Sequence, residues 1–388
     1  MFLKTLHLRS FRNYAEQQVE FQAQKTILVG NNAQGKSNLL EAVELLATLK
    51  SHRATRDRDL ILEGAAASQI LAIVERLHGE SELAITLRSS GRRTLSLNQE
   101  ALRRQIDFLG ILNAVEFSSL DLELVRGAPE CRRTWLDALL VQIEPIYAHI
   151  LHQYQQVLRQ RNALLKEIRQ KETFNHTSES LKSQGIPDFS QLELWDRQLA
   201  EFGSRVTRRR ARVIDRLAPL AQAWHESISG KTELLEIQYV PNVSCTSDEP
   251  ASVQQAFLEK IEQRRLAEQQ LGTTVVGPHR DEVEFRINHT PAKSYGSQGQ
   301  QRTLVLALKL AELKLIEEVV GESPLLLLDD VLAELDPNRQ NQLLDAIQDR
   351  FQTLITTTHL NSFDAQWLKS SQILSVKAGT ILSKEVEE

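Results

Sequence analysis

The sequence predicts an α/β fold of mixed sheets with flanking helices, opened in the middle by an inserted, mostly α-helical lobe. Three observations predict it. A glycine-rich turn, GNNAQGKS at residues 30–37, joins the compact apolar run KTILVG to a helical pattern. From about Phe117 the composition changes to long helical runs of mixed polarity. From Val275 short apolar strands alternate with helices again, so the two ends of the chain are expected to build one α/β unit.

Each element follows from local pattern. Leu3, Leu6 and Leu8 mark a short amphipathic strand, and KTILVG a buried one. A helix from about Asn38 to Lys50 carries Leu39, Leu40, Val43 and Leu46 at helical spacing. QILAIVERL and LAITLRS read as strands of a hairpin-rich sheet. Three helical runs follow, beginning IYAHIL, LELWDR and ASVQQA, and the first two are separated by a loop-like TFNHTSESLKSQGIPD. DEVEFRINH is the next strand, then a helix from about Gln300 to Val319, the buried strand at Leu325 to Leu328, and TLITTT. The expected divisions are residues 1–116, an inserted lobe at 117–258, and 259–388.

Bulk properties exclude several classes. Of 388 residues, 25% are charged and 41% hydrophobic, a globular composition rather than a disordered one. Cys131 and Cys245 stand far apart without metal-ligand spacing, which favours a reduced, cytoplasmic chain over a zinc-stapled one. No run approaches the ~18 apolar residues of a membrane span, and MFLKTLHLRSFRNY lacks a signal-peptide core. No membrane partner is expected. The net charge of −5 gives no whole-molecule attraction to a polyanion, so a nucleic-acid face must be local.

Residues 30–37 fit G-x-x-x-x-G-K-[ST] at every fixed position. Such a loop wraps backbone N–H groups around phosphate oxygens, with a helix N-terminus behind them. Gly30, Asn31, Asn32, Ala33, Gln34, Gly35, Lys36, Ser37 and Asn38 are the expected ATP contacts, with Lys36 neutralising the β- and γ-phosphates. Ser37 offers a hydroxyl to Mg²⁺, and Asp329, ending the buried strand, is the matching carboxylate. Asp330 stands next to it, where it can orient or deprotonate a water. His359 follows the strand TLITTT and can reach the γ-phosphate, although a lone His there is more often plain surface.

Taken together, these motifs resemble the ATP-binding-cassette (ABC) ATPases of the chromosome-maintenance branch. The order is phosphate loop, inserted lobe, signature segment, carboxylate strand, AELD turn and histidine. Ser297, Gln298, Gly299 and Gln300 occupy the place of the family's Ser-Gly-Gly-Gln signature, with Gln298 departing from the usual glycine. LRSFRNY, LVRGAPECRRTWLD, QRNALLKE, VGPHRDEVEF and LLLDDVLAELDPNRQNQLL narrow the resemblance to the bacterial recombination mediators. It implies a slow, switch-like ATPase that dimerises head to tail on ATP, each phosphate loop facing the partner's signature helix. It also implies binding of duplex DNA near single-strand gaps, with RecR and RecO as mediator partners and RecA as the recombinase loaded. A P-loop kinase and a transporter ATPase subunit are the competing classes, and the signature segment argues against the former. No glutamine-loop residue is assigned.

For DNA, Arg205, Arg208, Arg209, Arg212 and Arg216 fall in one ~100° helical arc beside an apolar stripe of Phe202, Val206, Val213, Leu217 and Leu220. A solvated face with local acidic partners is the rival reading. Only Glu201 and Asp215 are near in sequence to neutralise the arc. SHRATRDRD at 51–59 and the pair Arg132 and Arg133 are further basic candidates, equally readable as structural ion pairs.

Overall fold

A computed structural model of the chain describes residues 1–177, 190–347 and 350–383. Its centre is a six-stranded sheet in the order β15-β14-β3-β13-β12-β8. These strands are β3 (Lys25–Val29), β8 (Ala114–Ser118), β12 (Leu325–Asp329), β13 (Thr353–Thr357), β14 (Ser371–Lys377) and β15 (Thr380–Ser383). All neighbours are parallel except the β14/β15 hairpin. Strands β3, β12 and β13 are apolar and buried on both faces, as expected where helices cover a parallel sheet. The strand from near the N-terminus thus lies between two strands from the C-terminal quarter.

A second, antiparallel sheet has the order β2-β1-β4-β5-β6-β7. It contains β1 (Phe2–Phe11), β2 (Tyr14–Glu20), β4 (Ala67–Arg76), β5 (Gly79–Arg88), β6 (Arg93–Leu97) and the short β7 (Glu100–Ala101). The two expected strands are β4 and β5, which pair with each other as a hairpin in register from Ala67↔Arg88 to Arg76↔Gly79. Alternate residues of β4 are buried, the signature of a one-faced sheet, whereas an irregularity between Leu3 and Thr5 offsets the alternation in β1.

The helical region is formed by Ile146–Thr177, the 39-residue helix Ser190–Ile228, and Pro250–Leu271. Arg161, fully buried, ties them together through Asp196 (2.7 Å), Glu268 (2.6 Å) and Thr274 (2.8 Å). The 39-residue helix lies along Gln298–Val320, so lobe and ATPase core share one continuous hydrophobic cluster. Among the described residues, no helix is long and apolar enough to cross a membrane.

The division points inferred from composition fall inside elements. Residue 117 lies within β8 and residue 258 within Pro250–Leu271. A third sheet, β11-β10-β9, pairs β9 (Leu235–Val240), from the expected lobe, with β10 (Glu282–Ile287), which also pairs with β11 (Thr290–Pro291). Composition tracks helix content, whereas strand membership is decided by partners far away in sequence. Of the segment read as a loop, residues 173–177 continue the preceding helix, and residues 178–188 lie outside those described.

Candidate functional site: a phosphate loop facing a carboxylate strand

Residues 30–37 connect β3 to the helix Lys36–Thr48. Gly35 takes φ 116°, a conformation that a side chain disfavours, to turn the chain into the helix. A Cβ at Gly30 would overlap the Val376 carbonyl oxygen. The loop is braced from outside. Asn13 Nδ2 donates to the Gln34 carbonyl (2.9 Å), and the Tyr14 hydroxyl donates to the Gly35 carbonyl (2.9 Å). From the β14/β15 turn, the Gly379 N–H donates to the Gln34 carbonyl, and the Ala378 N–H to Gln34 Oε1 (2.8 Å).

Lys36 is buried, and its ammonium donates to the Gly30 (2.9 Å) and Asn31 (3.2 Å) carbonyls, inside the curve of the loop. Asn31, Asn32 and Ala33 are exposed along its rim. Asn38 donates to Asn13 (2.8 Å) and accepts from Arg53 (2.9 Å). One turn on, buried Glu41 accepts a two-pronged bond from Arg12 (2.8 and 2.6 Å) and another from Ser51 (2.5 Å). These bonds fix the helix to the β1/β2 hairpin and to the segment that follows it.

The carboxylate half arrives from 292 residues away. Ser37 Oγ donates to Asp329 Oδ1 at 2.7 Å, and Thr356 Oγ1 donates to the same oxygen at 2.7 Å. Parallel register puts Asp329 opposite Thr356 on one side and Ser118 on the other. Thr356 Oγ1 also accepts the Asp330 N–H (2.9 Å). Asp330 itself sits at φ 54°, a left-handed conformation that is strained for a side-chain-bearing residue. Burial raises its carboxyl pKa; the Lys36 ammonium opposes this, and the Asp329 charge adds to it. His359 is exposed just beyond β13. The Gly30 N–H donates to the carbonyl of Thr357, two residues earlier.

The signature residues form a separate station. Ser297 caps the helix Gln298–Val320 in a reciprocal capping box. The Gln300 N–H donates to Ser297 Oγ (3.2 Å), and the Ser297 N–H donates to Gln300 Oε1 (2.8 Å). Gln300 Nε2 donates onward to Glu233 (2.8 Å), and Arg339 holds the Gly299 carbonyl (3.2 Å) and Thr303 (2.8 Å). Ser297 and Gln298 are exposed, and none of these bonds reaches the phosphate loop.

The arginine arc is more neutralised than its local sequence indicates. Arg208 and Arg212 share Asp248 (3.0 and 2.7 Å), Arg209 pairs with Glu144 (2.9 Å), and Arg205 with Glu201 (2.8 Å). Asp248 and Glu144 come from outside the helix, which corrects the expectation that only Glu201 and Asp215 were at hand. Arg216 is exposed. Arg210, within the same run, is buried on Asp137 (2.9 Å twice) and the Pro278 carbonyl (2.7 Å). Arg132 is likewise structural, bonded to Glu282 (2.7 Å twice).

Sequence reasoning missed Thr356 and Asn13. Thr356 carried a signal, a threonine run ending a strand beside a carboxylate strand. Asn13 lies in LRSFRNY, but its role depends on where the β1/β2 hairpin docks.

Comparison with known proteins agrees with this architecture. The RecF/RecN/SMC N-terminal domain family matches residues 2–381. The DNA replication and repair protein RecF of Gloeothece citriformis is 76% identical over 98% of this chain and 99% of its own length. That of Rippkaea orientalis is 75% identical over the same shares. A solved recombination mediator protein RecF in its ATP form, from the RecFOR pathway, superposes with a TM-score of 0.87 at 31% identity, covering 99% of this chain and 98% of that one. An Smc head domain from Pyrococcus furiosus shares the fold at a TM-score of 0.55 and 17% identity, with 99% and 96% coverage. An ABC-type ATPase head with mixed sheets, flanking helices and a helical region, matched over nearly its full length by these relatives, places the chain in the RecF family.

Proposed function

We propose that the chain is an ATP-switched DNA-binding protein of replication and recombinational repair. The observation that carries this reading is the meeting of Ser37 with Asp329 at 2.7 Å, next in the chain to a buried Lys36. A serine hydroxyl and a carboxylate, both hard oxygen donors, fit Mg²⁺, and Ser37 and Asp329 would hold it. The glycine-walled curve of residues 30–37, with an ammonium inside and a helix N-terminus behind, fits a nucleotide triphosphate tail. Bound ATP with Mg²⁺ supplies the charge and the scissile bond of the switch.

The chain's own groups then divide the work. Lys36 and the loop N–H groups, flanked by Asn38, fix the phosphates. Asp330, its pKa raised, accepts a proton from water more readily than an ordinary aspartate. It is one methylene shorter than the glutamate common at this position in the superfamily, which makes turnover slow. His359, exposed just beyond β13, would reach the γ-phosphate from the same sheet edge. Ser297, Gln298, Gly299 and Gln300 serve the nucleotide of a second copy, an assignment supported by the exposure of Ser297 and Gln298 at the helix entrance. The capping box and Glu233 hold that helix end rigid before the partner arrives.

Dimerisation positions the arginine faces on duplex DNA near single-strand gaps, where RecR, RecO and RecA act with it. Arg205, Arg212 and Arg216 are the most exposed of the arc, and surface ion pairs of the Arg205 and Arg212 kind exchange for phosphate at little cost. Sedimentation tests the reading. With ATP and Mg²⁺ the protein forms a dimer, and Ser297→Arg binds ATP as a monomer yet fails to dimerise. A strictly monomeric wild type, or ATP-dependent dimers of Ser297→Arg, overturns the arrangement.

A further inference from the structure

Away from the phosphate loop, three elements bring together a mixed donor set that the proposed ATPase cycle does not use. Glu44 comes from the phosphate-loop helix, His52 from the segment after it, and Glu116 from β8. His52 Nδ1 lies 2.8 Å from Glu44 Oε2 and 2.8 Å from Glu116 Oε2. The three ligand atoms all fall within 4.8 Å of one another. The side chains retain only 22%, 15% and 12% exposure for His52, Glu44 and Glu116. They open onto a cavity of about 480 Å³ that is also lined by Trp135, Lys309 and Glu312.

Hydrogen bonding alone leaves this cluster incomplete. One ring nitrogen carries at most one hydrogen, so it cannot serve two carboxylates at full strength. The other oxygen of Glu116, Oε1, is buried without any hydrogen-bond partner. An unmet carboxylate oxygen in that position is costly. Lys309, which lines the same cavity, is already committed to Asp121 (2.9 Å) and Glu312 (3.5 Å).

We propose that Glu44, His52 and Glu116 form a binding site for a divalent transition-metal ion, with Zn²⁺ the best match. One imidazole nitrogen with two carboxylates suits Zn²⁺ and its neighbours, whereas Mg²⁺ prefers an all-oxygen shell. Tetrahedral ligation at ordinary Zn–N and Zn–O lengths needs donor atoms roughly 3.4 Å apart. The 2.8 Å spacings reach this by small torsions of long side chains. The fourth position faces the cavity and takes water. A metal here ties β8 to the phosphate-loop helix. It also pins the segment carrying Ser51 and Arg53, which bond to Glu41 and Asn38 at the phosphate loop.

The test uses the full chain, free of nucleotide and stripped with chelator, dialysed against Zn²⁺ alone and analysed for bound metal. The expected result is one equivalent per chain in the wild type. His52→Ala and Glu116→Gln each weaken binding about a hundredfold or more, since even outer-shell changes at metal sites cost 10–100-fold. Asp329→Asn retains the metal, which separates this site from the nucleotide-linked one. Independently of any variant, Zn²⁺ protects His52 from diethylpyrocarbonate in the wild type, as read by mass spectrometry. No stoichiometric Zn²⁺ in the wild type, equal retention by the His52 and Glu116 variants, or unprotected His52 overturns the proposal.

Discussion

The phosphate loop and the arginine run at residues 205–212 both concentrate positive charge, and the fold holds that charge in opposite ways. Lys36 is buried, yet it bonds to two backbone carbonyls of its own loop rather than to a carboxylate. Arg205 and Arg212 face solvent and Arg208 and Arg209 are half-buried, yet each of the four engages an acidic side chain, while Arg210 is sealed on Asp137. Carbonyl dipoles orient an ammonium without cancelling its charge, so the loop stays ready for an anion. Carboxylates cancel charge, so the run must give up a partner before it can take one. Exposure and availability are therefore different properties.

Three experiments break or sharpen this contrast. The largest effect belongs to the sealed arginine. Arg210→Ala leaves buried Asp137 without its counter-charge, held by the Tyr147 hydroxyl, and lowers unfolding stability by about 3–5 kcal/mol in urea, whereas exposed Arg216→Ala changes it by less than about 0.5 kcal/mol. Equal losses at the two positions would mean that burial does not divide the arginines of this helix. Next, Lys36→Ala keeps the fold but lowers nucleotide affinity by about 10–100-fold, the worth of a hydrogen bond to a charged group. Unchanged affinity by titration calorimetry would remove the loop from the functional site. Smallest is Asp248→Asn, which frees Arg208 and Arg212 together. DNA affinity rises a few-fold at low salt, and the log–log salt slope steepens by up to about 2. A slope identical to wild type would place these two arginines away from the phosphate backbone.

The same contrast explains what could be read from sequence. The phosphate loop is legible because its work is done by backbone shape, which glycine spacing encodes within one short run. The strands around it are legible because apolar runs mark them. Asp329 and Asp330 were recognisable as the end of a buried strand. Thr356, which orders both aspartate positions, depends on β12 and β13 adopting one register. Asp248 reaches Arg212 across 36 positions and Arg208 across 40, a distance that no helical wheel samples. The lobe boundaries were blurred for a related reason, because β9 and β10 pair across a long helix. Local grammar fixes backbone devices, while side-chain neutralisation is settled only by tertiary partners.

The interleaving of β3 between β13 and β14 has a consequence for biosynthesis. The phosphate loop leaves the ribosome 292 residues before the aspartate that meets Ser37. At about 5–20 residues per second, that delay is roughly 15–60 s. Through all of it β3 lacks both of its sheet neighbours, and its two apolar faces need shelter. The nascent chain is thus at its most aggregation-prone before the switch exists, and slow translation across residues 120–320 would lengthen the exposure that a chaperone must cover.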